Sequence, residues 1–189
     1  RTFTTSPNCA TVSLDLRPKD ESFLRSVRPE AEITVEGITI PVGGLTGQPI
    51  HNYLLREWIR GMKADPASFQ LKDYRIEEIK PRFPWKKRAG WMPKDLTWPA
   101  QGKELIFNFG LDKSAFHMII QKQKNPVTSL KVDLIKDLVV SVHYELYDNM
   151  PLFCKWITVE NRSSQPLQLN RFKSEILAAT EAESEVDGH

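Results

Sequence analysis

The stretch LVVSVHYELYDNMPLFCKWITVENRSSQPLQLNRFKSEILAA, residues 138–179, decides the fold. Val140, Val142, Tyr144 and Leu146 alternate with Ser141, His143 and Glu145, which is the two-residue period of a half-buried strand. Asp148-Asn149-Met150-Pro151 breaks that run, because Asp and Asn favour turns and proline lacks a ladder donor. Leu152 to Glu160, rich in aromatic and β-branched residues, predicts a second strand, and Asn161 to Pro166 a second turn. Leu167, Leu169 and Arg171 then alternate with Gln168, Asn170 and Phe172. Three strands joined by polar turns predict an antiparallel meander.

The same residues carry a family resemblance. Tyr144-Glu145, Tyr147-Asp148, Pro151-Leu152, Lys155 and Glu160-Asn161, then Leu167, Leu169 and Arg171, then SEILA at 174–178, resemble a passage of one known domain. That domain is the amino-terminal β super-sandwich of the α-galactosidase/raffinose-synthase (melibiase-type) glycoside hydrolases. The resemblance covers the last third of the chain, and its motifs are structural. It implies a galactose-mutarotase-like sandwich, non-catalytic by itself, packed on the catalytic barrel of the same longer chain. In the resembled family the nucleophile and the acid/base are aspartates of that barrel, so no carboxylate here inherits their roles.

Outward from this stretch the pattern stays mainly β. Val12, Leu14 and Leu16 alternate ahead of Arg17-Pro18, and residues 19–29 read as a charged loop. Residues 32–42 predict a hairpin turning at Glu36-Gly37, where glycine supplies the positive φ of a tight turn. Ile50, Tyr53, Leu54, Trp58 and Met62 fall on one helical stripe, giving a short helix over 50–62 with Trp58 in the core. Residues 69–80 predict a strand pair, 104–111 a strand, 116–121 another, and 127–134 the lead into the meander. The whole reads as one antiparallel β-sandwich over 1–189, with a loop-rich, aromatic-rich insertion at 45–103.

The insertion holds the strongest functional signal. KPRFPWKKRAGWMPKDLTWPAQGK, residues 80–103, packs four prolines and three tryptophans among basic residues. Flat rings stack on the apolar C–H faces of sugars while charged and amide groups bond the hydroxyl rim. Trp85, Trp91, Trp98 and Arg82 are therefore the candidate carbohydrate-binding residues. Proline-flanked tryptophans also serve to pin long loops as a satellite core, and the same rings would do that here. Trp156, inside the meander, is expected in the core or in interdomain packing.

Other chemistries find little support. Net charge is +2 over 189 residues, and Lys86-Lys87-Arg88 is a single basic run, so no nucleic-acid partner is expected. No apolar run approaches the ~20 residues of a membrane span. Cys9 and Cys154 fit no metal or redox spacing, no cofactor or metal is expected, and Cys154 reads as a buried free thiol. Glu145, Glu160, Glu175 and Asp148 show no catalytic pairing in sequence and suit cross-strand pairing with Lys155, Arg171 or Lys173. A mutarotase-like acid–base set would have to come from His117, His143 and Glu175, without the histidine motifs expected of one. The chain starts at Arg1 rather than Met and stops after Glu185–His189, so a piece of a longer chain is expected, with an extracytoplasmic home favoured. The rival uses are an independent carbohydrate-binding module and a structural or oligomerisation module, the latter implying a homo-oligomer.

Overall fold

The structure, a computed structural model, describes residues 1–189 except 20, 50–53, 89, 91, 94, 96, 113, 123–132 and 180–189. Its strands are β1 (Thr2–Thr4), β2 (Ala10–Ser13), β3 (Asp15–Leu16), β4 (Glu21–Ser22), β5 (Leu24–Ser26), β6 (Ala31–Val35), β7 (Ile38–Val42) and β8 (Leu45–Thr46). They continue with β9 (Lys63–Ala64), β10 (Gln70–Glu78), β11 (Gly102–Gly110), β12 (Leu138–Tyr147), β13 (Phe153–Asn161), β14 (Leu169–Lys173) and β15 (Ala178–Ala179). The helices α1 (Arg56–Ile59) and α2 (Ala115–Lys122) interrupt them.

Two sheets share one core. The larger runs β10-β11-β12-β13, antiparallel throughout, and the smaller runs β14-β6-β7. Alternation aims Phe107, Phe109, Val140, Val142 and Tyr144 of the larger sheet at Ile33, Val35, Ile38, Ile40 and Val42 of the smaller one. Each such fully buried chain contributes about 1.5–3 kcal/mol. The architecture is thus the mainly antiparallel, sandwich-like β fold expected from the alternation.

The meander is real but displaced by one strand. β12 and β13 pair as predicted, whereas the third run, β14, crosses to the other layer and pairs with β6. The turn carries it across because Leu167 packs into the shared core while Asn170 accepts from the Gly37 amide and Gln168 bonds Glu36 at the β6–β7 turn. The hairpin expected over 32–42 is present, with Glu36 at φ 51° and Gly37 at φ 77°.

Four other expectations are corrected. Residues 116–121 are not a strand: Ala115 and Ile119, one helical turn apart, are buried on α2 and close one end of the core. Residues 69–80 hold a single strand, β10 (Gln70–Glu78), so the stretch 45–103 supplies a member of the main sheet and is irregular chiefly at the described residues of 79–101. The charged segment 19–29 includes β4 and β5 rather than loop alone. The helix over 50–62 contracts to α1, with Ile50–Tyr53 outside the described residues, as is most of 127–134. Trp58 is half-buried against a second small core of Ala10, Val27, Leu45 and Met62.

β11 begins at a glycine for a steric reason. A Cβ on Gly102 would stand 2.1 Å from the Leu146 carbonyl oxygen, inside any possible contact. The close approach lets the β11–β12 ladder continue to Gly102↔Tyr147.

Candidate functional site

The face of the larger sheet turned away from the core is polar. Strand alternation places Glu104, Ile106 and Asn108 of β11 beside Glu145, His143 and Ser141 of β12, and these beside Cys154, Trp156 and Thr158 of β13. Four of the acidic, imidazole and indole groups interlock there. Glu145, 1% exposed, accepts from Arg82 Nη2 at 3.0 Å, from the Tyr147 hydroxyl, and from Trp156 Nε1 at 3.2 Å. Three donors satisfy a carboxylate that burial would otherwise make costly.

His143 lies beside it. Its ring stacks on Trp156 with centroids 3.6 Å apart. Nδ1 donates to Glu104 at 2.7 Å, which leaves Nε2 to accept from the Thr158 hydroxyl at 3.1 Å. Burial pushes the His143 imidazole below its usual range, against the pull of Glu104. Burial pushes the Tyr147 phenol up, and its bonds to Cys154 and Glu145 add to this. Cys154 is half-buried, not the fully buried thiol expected from the sequence; Cys9 is the fully buried one, and both are free.

Arg82 joins this cluster to the aromatic segment. Its guanidinium lies 4.9 Å over the Trp156 ring while bonding Glu145. Immediately beyond it, Phe83 and Trp85 converge on Trp98, at 5.4 and 5.2 Å between centroids. Phe83 is 52% exposed and Trp98 40%, so the trio offers rings to solvent. Of the four expected sugar contacts, Trp85 and Trp98 come together, Arg82 is committed to the sheet as a tether, and Trp91 lies outside the described residues. Phe83 was missed although the run Arg82-Phe83-Pro84-Trp85 contains it. Of the two places expected for Trp156, the core of this sandwich is not the one it takes: it stands on the outer face, half-buried.

The inner face carries a second network. Glu30, 1% exposed, receives the Thr11 amide at 2.5 Å, the Tyr144 hydroxyl, and Arg1 Nη2 at 3.1 Å. Lys155 Nζ stands 3.6 Å from Glu30 and 2.8 Å from Glu175, which also binds Arg1 at 2.6 Å. Burial drives the Tyr144 phenol up and the Lys155 amine down. Partial burial opposes it, but the bonds from Arg1 and Lys155 hold Glu175 below the usual carboxylate range. The contact expected between Glu175 and Lys155 is present, but Glu175 lies in the connection between β14 and β15 rather than on a strand. Glu145 and Glu160 bond Arg82 and Arg162 instead, and Arg171 and Lys173 pair with Glu32. This network is saturated and reads as the clasp between the layers.

The mutarotase set does not assemble. His117 is exposed on α2 and bonds Gln121, His143 is on the outer face, and Glu175 belongs to the inner clasp. Beside that clasp the larger sheet outruns its cover, leaving a groove of 340 Å³ lined by Phe3, Leu14, Ile76, Leu105, Leu146 and Phe153. Among the described residues no three His, Cys, Asp or Glu side chains cluster as metal ligands, and no helix is long and apolar enough to cross a membrane. Comparison with family models, curated proteins and solved structures returns no match for this chain.

Proposed function

We propose that this chain is a non-catalytic β-sandwich module of an α-galactosidase-type glycoside hydrolase, presenting an aromatic surface to saccharide. The observation that carries the reading is the Phe83–Trp85–Trp98 trio, partly exposed and anchored to the sheet through Arg82 and Glu145. A ring surface held in place loses little conformational freedom on contact with a sugar, which favours binding. The segment's prolines act in the same direction. The residues resembling the amino-terminal super-sandwich supply the parent class, and the apolar groove supplies a surface for packing on a barrel.

Tryptophan emission of the chain titrated with α-galactosides tests this. The expected result is a saturable shift that Trp98→Ala abolishes and Trp58→Phe leaves in place. An emission unchanged at saturating sugar would end the saccharide reading. Hydrolysis of a nitrophenyl α-galactoside by the purified chain would end the non-catalytic one.

A further inference from the structure

β10 is the outermost strand of the larger sheet, bonded to β11 on one side. Among the described residues nothing pairs with its other side, and Lys72 through Ile76 are exposed in succession. Long free edges are ordinarily guarded by charged side chains, proline or a bulge. From Asp73 to Glu78 there is neither proline nor bulge, since the strand's bulge lies earlier, between Leu71 and Asp73. The charges present are of both signs, so they can pair between two antiparallel copies rather than repel. The segment carries instead a 65%-exposed isoleucine, Ile76, between Arg75 and Glu77 on the opposite face.

We propose that a second copy of this chain pairs antiparallel along β10, about a twofold axis at Ile76, merging two four-stranded sheets into one. Such an interface is self-complementary, so each contact occurs twice. Ile76 then meets its own counterpart on the core side. On the polar side Arg75 faces Glu77 of the second copy, and Glu77 faces its Arg75. The pairing exchanges the exposed bond that Arg75 and Glu77 make within one chain, at 2.5 Å, for two such bonds between chains.

Register decides the geometry. Moved to centre on Arg75, the pairing would set Asp73 against Glu77, two like charges. Centred on Tyr74, it would oppose Asp73 and Arg75 but draw the Leu71–Asp73 bulge into the ladder. Of these three registers the one at Ile76 combines opposite charges at its centre with a regular backbone, and it meets like charges, Lys72 against Lys80, only beyond the end of β10. It also withdraws Ile76, a wall of the apolar groove, from water. None of this depends on the saccharide reading.

Sedimentation equilibrium tests the proposal. At about 100 µM, suitable for an interface smaller than the usual stable one, the mass should approach twice the 21.7 kDa of one chain. Arg75→Glu and Glu77→Arg should each weaken association about tenfold or more. The double variant should recover it, and an equimolar mixture of the two single variants should form a mixed dimer. Circular dichroism of each variant checks that these exposed changes leave the fold intact. A monomer at 100 µM, a dimer indifferent to both reversals, or a double variant no better than the singles would each overturn the proposal. Loss caused by Arg75→Glu but not by Glu77→Arg would overturn the Ile76 register in favour of the one centred on Tyr74.

Discussion

His143 lies flat on Trp156, its cross-strand neighbour, with ring planes 9° apart and centroids 3.6 Å apart. The stack places a titratable ring in the tether of the aromatic segment, because Arg82 covers the same indole. Glu104, Arg75 and Glu145 are the charged groups facing the imidazole, with Arg82 reaching it through Trp156.

Acid should therefore loosen the fold through His143. Its folded pKa lies below the usual 6.5, so just below pH 6.5 the unfolded chain binds the proton that the folded chain refuses. The associated stability is complete above 6.5 and falls as pH drops toward the folded value. Glu175, held low, adds its own loss only beneath 4.5. Urea midpoints measured between about pH 5 and 7 should slope upward with pH. His143→Gln should flatten that slope; an unchanged slope would mean the imidazole is not its source.

Removing the hub on the outer face should free the loop. Glu145→Ala removes the carboxylate that Tyr147, Trp156 and Arg82 share, leaving Tyr147 with Cys154. Breaking a buried charged pair costs up to about 3–5 kcal/mol, and because Arg82 is a third exposed we expect about 2–3. Trypsin should cut faster at Lys86 and Lys87 in the variant, by more than the change in global stability explains. Equal cutting rates would show that the tether does not hold the segment.

The inner clasp predicts a larger effect. Glu30→Ala strands the Thr11 amide and the Tyr144 hydroxyl and takes from Arg1 and Lys155 one of the two carboxylates they share, leaving them Glu175. A loss of about 3–5 kcal/mol is expected by chemical denaturation. Hydrogen exchange should quicken first in β1 and β2, which the clasp ties to β12.

Gly102→Ala is expected to destabilise by about 1–3 kcal/mol or more, because the obstacle is backbone and cannot swing aside. Gly37→Ala, with nothing within 4 Å of the added Cβ, should act only through its positive φ and cost less. Thermal unfolding of the pair ranks them; the reverse order would contradict the packing at the start of β11.

The strands were legible where apolar side chains on one face alternate with polar ones on the other. β12 shows this in Val140, Val142 and Tyr144 against Ser141 and His143, and so does the hairpin with its Glu36-Gly37 turn. β14 has the same alternation, but period fixes a strand and not its neighbour, so its crossing to β6 was invisible. α2 was misread because Phe116, Ile119 and Ile120 suit a buried strand as well as a helix, and only burial separates them. The aromatic trio was half legible, since Trp85 and Trp98 stand out in composition. The carboxylate–indole–imidazole cluster was not, because Glu145, Trp156 and Arg82 meet only after three separate segments are laid together.

Tyr144 and Glu145 are chain neighbours that serve opposite surfaces, the one reaching Glu30 in the clasp and the other holding Arg82 outside. A single residue deleted within Leu138–Tyr147 would swap these duties, sending carboxylates inward and valines outward along the rest of the strand. The Asp148 amide still bonds the Gln101 carbonyl, whereas the tip at Asn149–Leu152 stands outside both ladders and is free to change length. Insertions and deletions in relatives of this protein should accordingly gather at that tip and spare the ten residues of β12.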